Sequence, residues 1–138
     1  MTSDTTQGTE AAVLAAASDL VAAFAAHDRV HYFGSFAPEA TFVFYTTPRV
    51  LASRQAYEQE WASWEAEGFR VLSCHSSDQR VDPVSETVAV FTHRVRTHVR
   101  DAGGEQHLAE RETIVFRREP EGRWVAVHEH LSPDPGPQ

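Results

Sequence analysis

"RETIVFRREPEGRWVAVHEHLS", residues 111–132, reads as two strands joined by a turn. Pro120 and Gly122 punctuate it, and β-branched and aromatic residues fill both arms. The same period of two extends back to Phe69. Strands are expected at about 69–81, 86–99, 106–118 and 123–132, divided by "DPVSE", "RDAGGE" and "EPEG". Four consecutive antiparallel strands behind an N-terminal helical part make an α+β order. One face of such a sheet must be buried, and the only apolar helical surface lies ahead of it. The sheet is therefore expected to curl around the N-terminal helices.

The helices show in the 3–4 spacing of apolar residues. From about Thr9 to Ala26, the positions Val13, Ala16, Ala17, Leu20, Val21 and Phe24 form one stripe, with Thr9 as a possible cap. "His27-Asp28" ends this helix, and Asp28 caps a short second one carrying Val30, Tyr32, Phe33 and Phe36; a pocket role for the acid is the alternative. A strand follows at about Thr41 to Thr46. Ser53 caps a third helix ending near Gly68. Its Tyr57, Trp61 and Trp64 make a stripe that serves as core and can also wall a cavity. Residues 1–8 and 134–138 are polar or proline-rich and are expected to be disordered. One domain is left, over 9–133.

The net charge of -8 and the lack of any basic cluster argue against nucleic-acid and anionic-membrane partners. A single cysteine, Cys74, excludes a disulfide framework and a cysteine-built zinc site; a buried, inert thiol is the favoured reading. The Ala-rich stretch at 11–28 has no basic residue ahead of it and is interrupted by Asp19, so it fails the pattern of a signal peptide. A cytoplasmic protein is expected. The 12 basic residues are all arginine, which hints at a GC-rich bacterial genome.

Face assignments carry the functional reading. In the strand from Thr87, the odd positions Ala89, Phe91, His93, Val95 and Val99 are mostly apolar, so His93 is expected to face inward. A turn over 119–122 pairs Arg118 with Arg123. Ile114 and Phe116 then share the inner face with Val125, Val127, Glu129 and Leu131, and Glu110 and Glu112 come with them. His93, Glu112 and Glu129 meet in an apolar concavity, where carboxyl groups can act as acids or bases; solvation at an open rim is the other reading. The same register turns Arg111, Trp124, His128 and His130 outward. An outward indole suggests a covered face, hence a second subunit. His128 and His130 have three readings: interface residues, an acid/base pair if the register slips by one, or two ligands of a metal completed by His75, His98 or His107. No metal is expected.

The element order and the closing Gly-x-Trp followed by His-x-His-x-Ser resemble the SnoaL-like branch of the nuclear transport factor 2 (NTF2-like) superfamily, over about residues 9–133. "HDRVHYFGSFAPEATFVF" looks like the first module of that family. The "DAGG" turn and the "W...H.H.S" ending are also similar to the association domain of calcium/calmodulin-dependent protein kinase two. The resemblance implies an α+β cone, with the N-terminal helices packed in the concavity of a strongly curved, mainly antiparallel sheet. It implies a pocket between the two and dimerisation through the outer sheet face. Members include polyketide cyclases, ketosteroid isomerases, dehydratases and binding modules, so the fold alone does not settle the activity. Phe44 stands where ketosteroid isomerases carry a general-base aspartate, and Leu20 where they carry an oxyanion tyrosine. Val95, Ile114 and Leu131 match the pocket arginines of the kinase domain. Neither machinery transfers.

Two expectations follow. In the first, the protein binds or transforms a small hydrophobic molecule in a pocket walled by Tyr32, Phe42, Phe44, Tyr57, Trp61, Phe91 and Ile114. His93 is then the base, partnered by Glu112, Glu129 or Tyr32, in an isomerisation, cyclisation or dehydration without a cofactor. In the second, it is a non-catalytic dimerising or ligand-sensing module.

Overall fold

The structure, a computed structural model, describes residues 2–136, with side chains described from residue 7 onward. Three helices and five strands follow in the order α1 (Thr2–Ala25), α2 (Arg29–Gly34), β1 (Phe36–Phe44), α3 (Arg54–Ala66), β2 (Arg70–Pro83), β3 (Val88–Asp101), β4 (Gly104–Arg118) and β5 (Trp124–Pro133). The sheet order is β1-β5-β4-β3-β2. The meander β2 to β5 is antiparallel, and β1 adds to its far edge in parallel with β5. The sheet is curved and unclosed, and the helices pack in its concavity.

Two of the three expected helix caps form. Asp28 accepts from the His31 backbone N–H, and the Ser53 side chain accepts from the Ala56 N–H. Each satisfies a donor that the first helical turn leaves unpaired. Thr9 is not a cap: α1 begins seven residues earlier, at Thr2, so most of the segment expected to be disordered continues the helix. The expected tail falls on Asp134–Gly136, which lack regular structure, and on residues 137–138, which lie outside the described residues. Gln7–Ala25 is long and apolar enough to cross a membrane by length and composition. Its Val13, Ala17 and Leu20 are packed in the protein core. Phe36 does not belong to α2. Pro38 cannot extend a helix, and Phe36 instead opens β1.

The β4–β5 pairing departs from the expected register. The connection spans five residues rather than four, so Arg118 faces Trp124. Gly122 adopts φ +100°, which glycine accepts without strain, and the Glu119 N–H donates to the Arg123 carbonyl. Phe116 pairs with Ala126 but Val115 pairs with His128, leaving Val127 as an extra residue, a β-bulge. Trp124 and Ala126 therefore face the core, where Val125 and Val127 were expected. Beyond the bulge the expected faces return, with Glu129 opposite Ile114 and Leu131 opposite Glu112. Trp124, expected outside with His128 and His130, is 9% exposed and packs in the core.

Candidate active site: an acidic cavity between helices and sheet

Aromatic residues of all three helices converge over the sheet. Tyr57 and Trp61 project from one face of α3, Tyr32 and Phe33 from α2, and Phe24 from the end of α1. Their rings contact one another edge-on or tilted, with centroids 5.0–6.2 Å apart. Between these rings and β3–β5 lies a cavity of about 140 Å³. That is close to the size of a void that holds benzene. Phe24, Tyr32, Phe44, Tyr57, Trp61, Trp64 and Phe69 line its aromatic side, and Glu110, Glu112 and Glu129 face them from the sheet. No arginine or histidine is among the lining residues.

The strand alternation explains the carboxyl row. Glu110 and Glu112 are two apart on β4, and Glu112 lies opposite Leu131 and diagonal to Glu129 on β5. Glu129 is 1% exposed. Burial pushes its pKa well above the ordinary carboxyl value; the charge of Glu112 and a hydrogen bond with it push further, while a bond from Tyr32 pulls the other way. Burial and the neighbouring carboxyl group therefore both favour the protonated form of Glu129. Glu110 is also raised, by burial first, against a hydrogen bond from the Tyr45 hydroxyl (2.6 Å). Burial and that bond push Tyr45 itself up to about 12.

Behind Glu112 stands His93, 3% exposed. Its Nε2 lies 2.7 Å from Glu112 Oε1 and its Nδ1 2.6 Å from Ser76 Oγ, which also accepts from Gln79 Nε2 at 2.9 Å. On the other side of Glu129, the Tyr32 and Tyr57 hydroxyls are 2.9 Å apart. Burial raises both phenols well above their ordinary range, and ionisation of Glu129 would raise them further, so both stay protonated.

His93 faces inward, beside Glu112, yet it does not line the cavity; Glu112 stands between. Its two ring nitrogens are both engaged, one with Glu112 and one with Ser76. Tyr32, Glu112 and Glu129 are brought together. Of the expected walls, Tyr32, Phe44, Tyr57 and Trp61 line the cavity. Phe42, Phe91 and Ile114 are fully buried in the core and do not line it, although the register sets them in one cross-strand row with Glu129. Trp64, on the helix stripe expected to be able to wall a cavity, also lines it. Sequence reasoning missed Phe69, which lines the cavity, and Tyr45, which bonds Glu110. Cys74 also lines the cavity; burial raises its thiol to about 11, with the Thr97 hydrogen bond opposing.

On the opposite sheet face, His128 Nδ1 lies 2.8 Å from Thr41 Oγ1, and burial followed by the charge of His130 lowers the His128 pKa. His130 and Arg111 are exposed. His98 stacks on His107 with centroids 4.0 Å apart, and no cluster of three ligand-type side chains occurs among the described residues.

The profile of the SnoaL-like domain family matches residues 13–135. The chain belongs to the SnoaL-like family. Solved structures agree with the NTF2-like architecture. A candidate scytalone dehydratase from Novosphingobium aromaticivorans superposes with a TM-score of 0.80 at 18% identity, covering 96% of this chain and 88% of the other. A ketosteroid isomerase-like protein from Erwinia carotovora atroseptica gives 0.76 at 17% identity, with 92% and 96% covered. A Catenulispora acidiphila protein in complex with S-DNPA gives 0.74 at 12% identity, with 91% and 92% covered. At these identities the likeness is one of fold. No curated protein matches the chain in sequence.

Proposed function

We propose that this SnoaL-like protein is an acid/base enzyme acting on a neutral hydrophobic molecule about the size of a single ring. The carrying observation is the Glu112–Glu129 pair, set in an aromatic cavity, tied to His93, and with the Glu129 carboxyl raised by burial and by Glu112; on this reading the pair shares one proton. Three carboxyl groups without a facing cation disfavour carboxylate or phosphate ligands. Glu112 takes a proton from the carbon next to a carbonyl, and Glu129 gives its proton to the carbonyl oxygen. From the enol, Glu129 recovers its proton in each case: Glu112 returns its own to a different carbon in an isomerisation, gives it to the oxygen of a second carbonyl whose carbon the enol carbon attacks in a cyclisation, or gives it to a β-hydroxyl that leaves as water in a dehydration. His93 is a positioning residue that holds Glu112 by one hydrogen bond. No cofactor is required for these steps.

The test is a panel of neutral single-ring carbonyl compounds and their carboxylate analogues. Binding is read by thermal shift, and deuterium uptake next to the carbonyl is read by NMR in D2O. The neutral compounds should bind and exchange, and Glu112→Gln should slow exchange by about 100-fold or more. Preference for the carboxylates, or unchanged exchange in the variant, refutes the reading.

Binding without turnover is the second reading. It is favoured by Phe44 and Leu20, which replace the isomerase acid and base. Binding with no exchange for any panel member decides for it. In either case we infer a cytoplasmic homodimer joined through the outer sheet face around Arg111, His128 and His130. A monomer in sedimentation equilibrium overturns that inference.

A further inference from the structure

The line of polar side chains does not stop at His93. It continues through Ser76 to Gln79, which is exposed on β2. This stretch of β2 is irregular. Ser77 pairs with Arg94 but Arg80 pairs with Thr92, and Asp78 takes φ +51°, a left-handed conformation that aspartate tolerates better than most residues. The extra residue turns Gln79 back over Ser76. Polar groups therefore run from the outside of the cone to the buried acid pair without passing through the cavity.

We propose that Ser76 and His93, held by Gln79, form a proton port through which the Glu112–Glu129 pair equilibrates with solvent while the cavity is filled. The proposal rests on the acid-pair reading above. The Gln79 amide nitrogen can only donate, so Ser76 Oγ accepts there and keeps its own proton and a second lone pair for His93. With Nε2–H donating to Glu112, Nδ1 accepts from Ser76. For inward transfer, Ser76 passes its proton to Nδ1 and takes one from solvent, while Nε2–H passes to Glu112. His93 ends as the Nδ1–H tautomer, donating to Ser76, and Glu112 ends protonated. The reverse sequence exports the proton and restores the first tautomer. One proton in and one out per cycle suits a reaction with no net proton change.

The protonated Glu129 carboxyl gives a C=O infrared band, identified by its loss in Glu129→Gln. Its downshift after rapid mixing into D2O times the exchange of that proton. The cavity is filled with benzene, or with Cys74→Phe, which adds a ring from a lining position, if benzene is not retained. Unvaried at position 76, the protein should exchange quickly whether the cavity is filled or not. Ser76→Ala should slow exchange by about 100-fold with the cavity filled, and Ser76→Thr, which keeps the hydroxyl, should restore it. A loosened fold would exchange faster, so slowing cannot come from damage. If Ser76→Ala exchanges as fast as the parent or faster, the port is wrong and the acid pair stands. If no protonated carboxyl band is present at neutral pH, the acid pair fails and the port with it.

Discussion

Replacing Glu129 by Gln separates the proton on this carboxyl from its shape. The glutamine amide N–H can donate to Glu112 and its carbonyl can accept from Tyr32, so the contacts of the protonated acid are kept. What is lost is ionisation. Glu129 has a folded-state pKa raised by burial and by Glu112. Between its ordinary value of 4.5 and that raised value, the folded protein holds a proton that the unfolded chain has released. Stability therefore falls as pH rises through this window, by about 1.4 kcal/mol per pH unit, and levels off above the folded pKa. Below pH 4.5 both states are protonated and the variant should match the parent closely. Above it the variant should become progressively more stable, each pH unit adding roughly 3–8 °C to the difference in Tm for a chain of this size. Urea unfolding of both proteins from pH 4 to 9 measures the divergence, and the pH at which it stops growing locates the folded pKa. Other carboxyl groups, including Glu110, are common to both proteins and largely cancel. Stability curves that stay parallel over the whole range would mean that Glu129 ionises like an exposed glutamate, and the shared-proton account would be lost.

Three further outcomes follow from the packing. Trp124→Ala should cost about 3–5 kcal/mol in urea unfolding; a cost within about 0.5 kcal/mol, that of an exposed position, would contradict the bulged register. His27 Nδ1 accepts from the Val71 N–H at 3.0 Å while Nε2 bonds Glu65 at 2.8 Å. His27→Ala should cost about 1–3 kcal/mol by leaving that amide unpaired, and amide exchange at Val71 should accelerate. Cys74, with its thiol raised from 9.0 to about 11, should alkylate at pH 8 about 100-fold more slowly than an ordinary thiol on thiolate content alone. Labelling at the ordinary rate would show that the cavity side of β2 is wet.

Local signals carried much of this fold. Asp28 and Ser53 are caps because of their own side chains, and the β3 alternation that faces His93 inward needs no partner strand. The extension of α1 ahead of Thr9 was missed because Thr2–Gly8 has no apolar stripe; a helix can propagate through polar residues once a long segment behind it is formed. The parallel seating of β1 on β5 has no local signature, since the two strands are some ninety residues apart. Trp124 was misplaced because hairpin register depends on turn geometry, and one residue in the connection reverses every face after it. The carboxyl row was legible for a contingent reason: the bulge at Val127 cancelled the error in the turn, so Glu129 returned to its expected side. That Glu112 screens His93 from the cavity depends on side-chain depth, which alternation does not report.

Val127 is the one position in β5 whose removal would leave every neighbour on its present face, because without it Ala126 and His128 follow one another in ordinary alternation. Its effect is on curvature, since a bulge bends its strand and increases the twist. Shortening the chain here should flatten the cone and narrow the space under the aromatic helices while leaving the carboxyl row in place. The breadth of ligand that this scaffold admits is thus open to adjustment by changes in chain length, separately from the residues that do the chemistry.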